Sequence, residues 1–472
     1  MAIERALFLA ATVGILGCGA PPPPSFAPAS YARRDAGSEV DVWAAISAPS
    51  RRTPLAGRSP GNAPVPTPLR AADSVALALR NDRDLRATVL ELGVPEGMLR
   101  QAELLPNPAV EFDLRRTSDR AQPLQADVRI EYALTRALLT PARGAVAAHD
   151  LQAARLDAAA SVLEAAFQAT VLHARWEAAE ERLRLARVSL ATFAAARDGA
   201  DALTQAGNIS AIPAAAARAS HEEARIVVAR RELDALVARE ALAARLGIAD
   251  PARLVAAGPA VEPEAVANGP ALDEEKVVAG NLRLRATGER LVALAKKTGL
   301  LRLEGQTPDV VVDGHGEQDG LFVEVGGGAR ISVPLFDRKQ GSIAATEARY
   351  DGLAERFQAQ ARRLRAESRV VAAEVRVTDA CARQYPTTIL PARRNMLAET
   401  ILMMNAMHAS VFDVLDARRR LAEAESAAVD AVEQQKIAHA RALLLGNGGD
   451  APLPQAPMSP RTAFEVPGEP TH

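Results

Sequence analysis

Residues 109–116 read AVEFDLRR and residues 127–132 read DVRIEY. In the first stretch Val110, Phe112 and Leu114 alternate with Glu111, Asp113 and Arg115. In the second, Val128, Ile130 and Tyr132 alternate with Asp127, Arg129 and Glu131. A period of two puts the apolar residues on one face of a strand and the charges on the other. Segments of about ten residues with this polarity suit the tilted strands of a membrane barrel, with lipid on one side and water on the other; a half-exposed soluble sheet alternates in the same way. A weaker pair follows, PDVVVDGHG from Pro308 and LFVEVGGGARISVPLF from Leu321, with Gly314, Gly316 and Asp319-Gly320 expected to supply the turn. The GGG at 326–328 has no GK[ST] after it and interrupts a strand, so it predicts a bend or a close approach in the sheet, not a phosphate loop. Pro334 suits a strand end and Asp337 can cap the helix that follows.

Outward from these strands the chain repeats itself at a separation of about 200 residues. DLRA at 84–87 answers RLRA at 283–286, LPNPAVEFDLRR from Leu105 answers QTPDVVVDGHGE from Gln306, and GNISAIPAAAARA from Gly207 lies opposite MHASVFDVLDARR from Met407. Each half reads as a helix, two strands, a very long helix, a break and a second long helix. The long helices are expected from about Gly144 to Leu203 and from about Gly341 to Met407, the second carrying Pro386 and Pro391. At 1.5 Å per residue they measure roughly 90 to 100 Å, longer than a compact domain needs. The fold class is therefore mainly α with a small β part, built as tandem long helical hairpins. Four strands cannot close a barrel, and open edges in lipid leave backbone groups unpaired, so other subunits must complete the sheet. Two copies give eight strands and three give twelve.

Domain limits follow from composition. MAIERALFLAATVGILG (1–17) has a weakly charged start and an apolar run too short to span a bilayer, and reads as an export signal. Cys18, followed by GAPPPPSFAPAS, looks like the acylation site of a bacterial lipoprotein, and 18–69 reads as a lipidated start with a disordered linker. The repeats are expected at 70–250 and 272–446, a linker at 251–271, and a disordered tail at 447–472. The chain holds 56 basic and 58 acidic residues, which nearly cancel, so no bulk field recruits nucleic acid. Aromatic residues are only 3% of the chain, which suits close-packed alanine-rich helices. With Cys18 acylated, Cys381 is left without a disulfide partner and is expected to be a small buried residue.

The chemistry-bearing residues are few. Asp413 and Asp416 stand three apart in SVFDVLDARRR (410–420), and three readings are open for them: acid/base catalysis, a metal site, or the lining of an aqueous passage. Acid/base work needs two carboxylates in different environments, which neighbours on one helix turn do not have. Met403, Met404, Met407 and His408 could offer soft ligands to a monovalent metal ion, and packing is the plainer reading. The seven histidines show no H-x-x-x-H spacing and no nucleophile sits in an elbow motif, so neither an enzyme nor a cofactor is expected. Gly207-Asn208 reads as a turn between two helices.

VALALRNDRDLRA, RQAELLPNPAV, ISVPLFDRKQG, AGNIS and SVFDVLDARRRLAEAE, in this order and spacing, resemble the TolC-like outer-membrane factors of bacterial efflux and export systems. The resemblance spans about residues 70–446, and the PLFDRKQG and LLPNP wording looks most like the branch serving resistance-nodulation-division and heavy-metal pumps. It implies a homotrimer with a twelve-stranded barrel in the outer membrane, lipid-anchored and reaching through the periplasm, which meets an adaptor protein and an inner-membrane pump. It also implies that Asp413 and Asp416 fall at the aspartate-rich constriction, where three chains would present about six carboxylates that favour cations. Where family members commonly carry tyrosine, glycine and a bracing arginine, this chain has Met404, Met407 and Ala409. The function expected is a passive conduit gated at the periplasmic helix ends. A non-conducting periplasmic scaffold lipoprotein and a duct for type I protein export are the alternatives.

Overall fold

The computed structural model describes residues 65–116, 125–256, 272–319 and 322–451, all within the unit Arg52–His472. The expected export signal, Cys18, the Gly320 turn and most of the expected linkers and tail lie outside the described residues. Four strands, β1 (Ala109–Arg115), β2 (Gln125–Ala133), β3 (Asp309–Asp319) and β4 (Phe322–Ser332), form one antiparallel sheet in the order β1-β2-β3-β4. Gly314 and Gly316 are not turn residues: they lie inside β3 opposite Gly327 and Val325.

Register sorts the two faces cleanly. Val110, Ile130, Gly314 and Gly327 align across the sheet, as do Phe112, Val128, Gly316 and Val325, and this face leaves Phe112 73% and Val325 85% exposed in the single chain. On the other face Asp113, Asp127, Glu317 and Glu324 stand in one row across all four strands. Like charges directly opposite destabilise a sheet, so this row needs a watery surrounding. The triple glycine is a close approach and not a bend. β4 continues through it, and a Cβ on Gly326 would stand 2.5 Å from His315 Nε2, one on Gly328 2.9 Å from the Asp313 carboxylate.

Before β1 run three short helices, α1 (Ala71–Asn81), α2 (Arg83–Glu91) and α3 (Gly93–Glu103). A single turn, α4 (Leu134–Leu138), leads from β2 into α5 (Thr140–Gln205), 66 residues without interruption, and α6 (Ala211–Leu246) returns. The second half follows the plan with α7 (Glu274–Gly280), α8 (Leu282–Gln306), the strands, α9 (Gln340–Gln384), a π-helical turn (Tyr385–Ile389), α10 (Leu390–Asn405) and α11 (Val411–Gly446). At 1.5 Å per residue α5 is about 100 Å long. Asp337 does not cap α9 directly. It accepts from the Lys339 amide at 2.9 Å in a turn whose last residue, Lys339, is left-handed at φ 62°.

The helices stand side by side as a single wall. Towards the strands α3, α5, α8 and α9 pack in that order; towards the far end the order is α6, α5, α11, then α9 with α10. Alanine at heptad spacing makes the close approach possible: on α6 the buried seam is Ala214, Ala217, His221, Ala224, Val228 and Ala235. Matching latches close each half upon itself. Asn81 Nδ2 donates to the Leu246 carbonyl at 2.9 Å where Gly247 ends α6, and Asn281 Nδ2 donates to the Gly449 carbonyl at 3.1 Å just past the end of α11. Leu69, the last residue of the expected amino-terminal linker, is fully buried with Trp176, Leu242 and Leu254, and its amide donates to the Val255 carbonyl at 2.9 Å. Cys381 is exposed in the chain, contrary to expectation, because it lies off the α9 seam formed by Leu364, Val371, Val375 and Ala382.

Candidate functional site

The far end of the wall consists of two helix hairpin tips, 205–211 and 405–411. Both helices end in the same way. Asn208 N–H donates to the Leu203 carbonyl at 2.9 Å and Gly207 N–H to Thr204 at 3.0 Å; His408 N–H donates to Met403 at 2.8 Å and Met407 N–H to Met404 at 3.0 Å. This closure needs a left-handed residue, supplied by Gly207 (φ 74°) in the first tip and by Met407 (φ 63°) in the second. The left-handed region costs a side-chain-bearing residue about 1 kcal/mol relative to glycine, so Met407→Gly is expected to raise the local stability of the second tip by about that amount. Hydrogen exchange of the amides at 403–408 measures it, and unchanged protection would contradict the strain.

Asp413 has a defined local role. Its Oδ2 accepts from the Ser410 amide and the Ser410 hydroxyl, both at 2.7 Å, while the Asp413 amide donates to Ser410 Oγ at 3.2 Å. This reciprocal box caps α11, and these bonds from Ser410 hold the Asp413 carboxyl below its usual range. In the first half Pro213 stands at the matching place, and Ser210 makes no such cap. Asp416, one turn on, is paired with Arg419 at 2.6 Å and Arg420 at 2.7 Å on its own helix. The hydrogen bond from Arg419 holds its carboxyl down. The two aspartates therefore remain ionised at neutral pH, one fixed by a cap and one by arginines.

The structure sets Met403 and Met404 in the last turn of α10, with Met407 and His408 following in the tip. Met403 is 56% and Met407 93% exposed. Among the described residues no three His, Cys, Asp or Glu side chains are placed to hold a metal ion. Phe412, between the aspartates' helix turn and its cap, was not singled out from the sequence. It packs across to the first tip, against the cluster of Ala200, Ala214 and Ala217 on which Ile209 also packs. An aromatic residue beside a cap is the only sequence sign of that contact. The S-x-x-D spacing at 410–413 was a legible sign of the cap.

No family model matches the chain. The cobalt-zinc-cadmium resistance protein CzcC of Cupriavidus metallidurans is 27% identical over 369 residues, 76% of this chain and 85% of that one. Among solved structures, VceC, an outer membrane protein of Vibrio cholerae, superposes with a TM-score of 0.66 at 17% identity, over 80% of this chain and 96% of that one. CusC, whose structures concern folding and transmembrane channel formation, gives 0.67 at 15% identity, over 80% and 92%. The open state of the MtrE outer membrane channel of Neisseria gonorrhoeae gives 0.63 at 20%, over 80% and 89%. The chain shares the fold of these outer-membrane proteins and is similar in sequence to CzcC. Long helical hairpins and a small four-stranded sheet make up the shared fold. No helix among the described residues is long and apolar enough to cross a membrane.

Proposed function

We propose that this protein is an outer-membrane factor, the passive exit conduit of a tripartite efflux system, working with a periplasmic adaptor and an inner-membrane pump of the resistance-nodulation-division type. The sheet carries the reading. One face is apolar and exposed, the other is charged, and β1 and β4 each keep an unpaired edge. In lipid such edges must be paired, and β4 of one copy can meet β1 of the next in antiparallel register. The helices support the same closure. Opposite its buried seam, α6 shows Ile212, Ile226 and Leu233, and α9 shows Val370 and Val377, both sets spaced by sevens on the two free edges of the wall. A head-to-tail ring is the natural product, and a homotrimer gives the twelve strands of the family.

The Asp113, Asp127, Glu317 and Glu324 row would then form a carboxylate belt inside the barrel, and Asp413 and Asp416 would stand where the tips converge into the gate. Both favour cations, in keeping with the cobalt, zinc and cadmium for which CzcC is named. The protein would sit in the outer membrane, anchored through Cys18 and extending into the periplasm. In planar bilayers the purified protein is expected to give discrete, cation-preferring conductance steps. Asp413→Asn combined with Asp416→Asn is expected to lower cation preference and block by multivalent cations. Absence of steps would favour the scaffold alternative, and unchanged selectivity would remove the aspartates from the pore.

A further inference from the structure

The two hairpin tips share one backbone and differ in what it carries. Residues 203, 204, 207 and 208 of the first tip match 403, 404, 407 and 408 of the second, and the hydrogen bonds that close them measure 2.9 and 3.0 Å in the first against 2.8 and 3.0 Å in the second. In the first tip these positions hold Leu203, Thr204, Gly207 and Asn208, none of them a soft metal ligand. In the second they hold Met403, Met404, Met407 and His408, with a thioether or an imidazole at every place. The shared closure works without them, so it does not explain them.

Packing within the chain does not explain them either. Met403, Met407 and His408 are all exposed, which overturns the plainer reading of the cluster as core filling, and only Met404 is half-buried. Met407 is kept in the left-handed region, at φ 63°, where its counterpart is a glycine. A side chain held at a position that disfavours it is a common mark of a functional residue. The closure sets Met403 and His408 one turn apart, with the His408 amide on the Met403 carbonyl and Met407 between them. Methionine is unbranched and flexible, so both sulfurs can converge with the imidazole. The Asp413 carboxylate, committed to the Ser410 cap, adds negative charge to the tip without competing as a ligand.

We propose that Met403, Met407 and His408 form a binding site for a soft monovalent cation, copper(I) or silver(I), at the tip of the second hairpin. Thioethers select soft monovalent ions over hard and borderline divalent ones, and the neutral imidazole completes the set through a ring nitrogen. Such ions accept low coordination numbers, so a tip loop with flexible donors is sufficient and no rigid cage is needed. The site rests on the conduit reading above for its purpose and names a cargo for it, an ion held beside the carboxylates of Asp413 and Asp416. CzcC is named for divalent metals, and the tip site adds a soft monovalent ion to that class.

The test uses the full-length protein in detergent, its thiols blocked with N-ethylmaleimide so that the exposed Cys381 does not compete. Silver nitrate is titrated in chloride-free buffer and followed by calorimetry, with folding of each variant checked by helical circular dichroism and oligomer size. Wild type is expected to take up one silver ion per chain at the tip. Met403→Leu combined with Met407→Leu, and His408→Gln alone, are each expected to weaken uptake about a hundredfold, because losing a direct ligand costs at least what losing a supporting residue does. Met407→Gly, which relieves the left-handed strain and restores the residue of the first tip, is expected to weaken uptake as well. Zinc nitrate is expected to show no dependence on the methionines. Silver uptake that is the same in wild type and all tip variants, or zinc uptake that falls with silver when the methionines are replaced, would overturn the proposal. A protein that binds silver as expected but inserts into planar bilayers without ever conducting would leave the site standing and overturn the conduit reading.

Discussion

Glu367→Gln is expected to abolish most of the pH dependence of stability in this protein, leaving it more stable than wild type at pH 8 and equal to it near pH 4. Glu367 lies on α9 and is 3% exposed, between Leu364 and Val371 in the cluster that also holds Leu445 and Ala451. Burial raises its carboxyl pKa to about 7, the nearby Asp450 carboxylate adds to the rise, and Arg363 opposes it. Asp450 is itself committed elsewhere, accepting from Asn281 Nδ2 at 2.7 Å and pairing with Arg283 at 3.2 Å, so it offers Glu367 charge without relief. The folded pKa lies above the unfolded value of 4.5, so the native state holds the extra proton between them. Stability is complete below pH 4.5, falls as pH rises towards 7, and is lowest above it. Allowing for the water that still screens the group, the loss is about 2 kcal/mol. Thermal loss of helical circular dichroism in detergent, compared at pH 5 and pH 8, measures it. Equal shifts in wild type and variant would show that other groups carry the dependence.

Gly305→Ala is expected to prevent stable assembly, at a cost of about 3 kcal/mol or more. Gly305 is in the last turn of α8, where the helices meet the sheet. A Cβ there would stand 2.2 Å from the Arg338 carbonyl oxygen and 2.7 Å from its carbon, both backbone atoms in the connection from β4 to α9. Neither partner can yield without moving a helix start. Thr135 tightens the same junction: its hydroxyl donates to the Pro308 carbonyl at 2.9 Å and accepts from the Val310 amide at 2.8 Å. Gly299, on the open side of the same helix with nothing within 4 Å, is the control. Gly299→Ala is expected to be neutral or to stabilise by up to about 1 kcal/mol, because alanine restricts the unfolded chain. Oligomer yield and melting temperature of the two variants separate them. A stable, assembled Gly305→Ala protein would contradict the close packing at this junction.

The amino-acid sequence by itself determined the elements and their order. Period-two polarity in AVEFDLRR and DVRIEY can be satisfied only by strands with one greasy face, and 66 residues of alanine-rich chain with no interior proline have no stable alternative to a single rod. The duplication of helix, strand pair and hairpin was legible because the same residue types recur about 200 positions apart. Which partner each side chain found was not, because partners lie far apart in sequence. Gly314 and Gly316 looked like turn residues and proved to be strand residues, paired with Gly327 and Val325 of the neighbouring strand. The pair Asp413 and Asp416 looked like one feature and became two, a cap and an arginine-bound charge, because helix geometry aims Asp413 at Ser410 and Asp416 at the next turn. Phe412 in its alanine socket, Glu367 stranded in an apolar core and Gly305 against a carbonyl belong to the tertiary structure alone. Contacts between surfaces brought together only by folding are set by volume and solvent exclusion, and these leave no periodicity for a sequence to display.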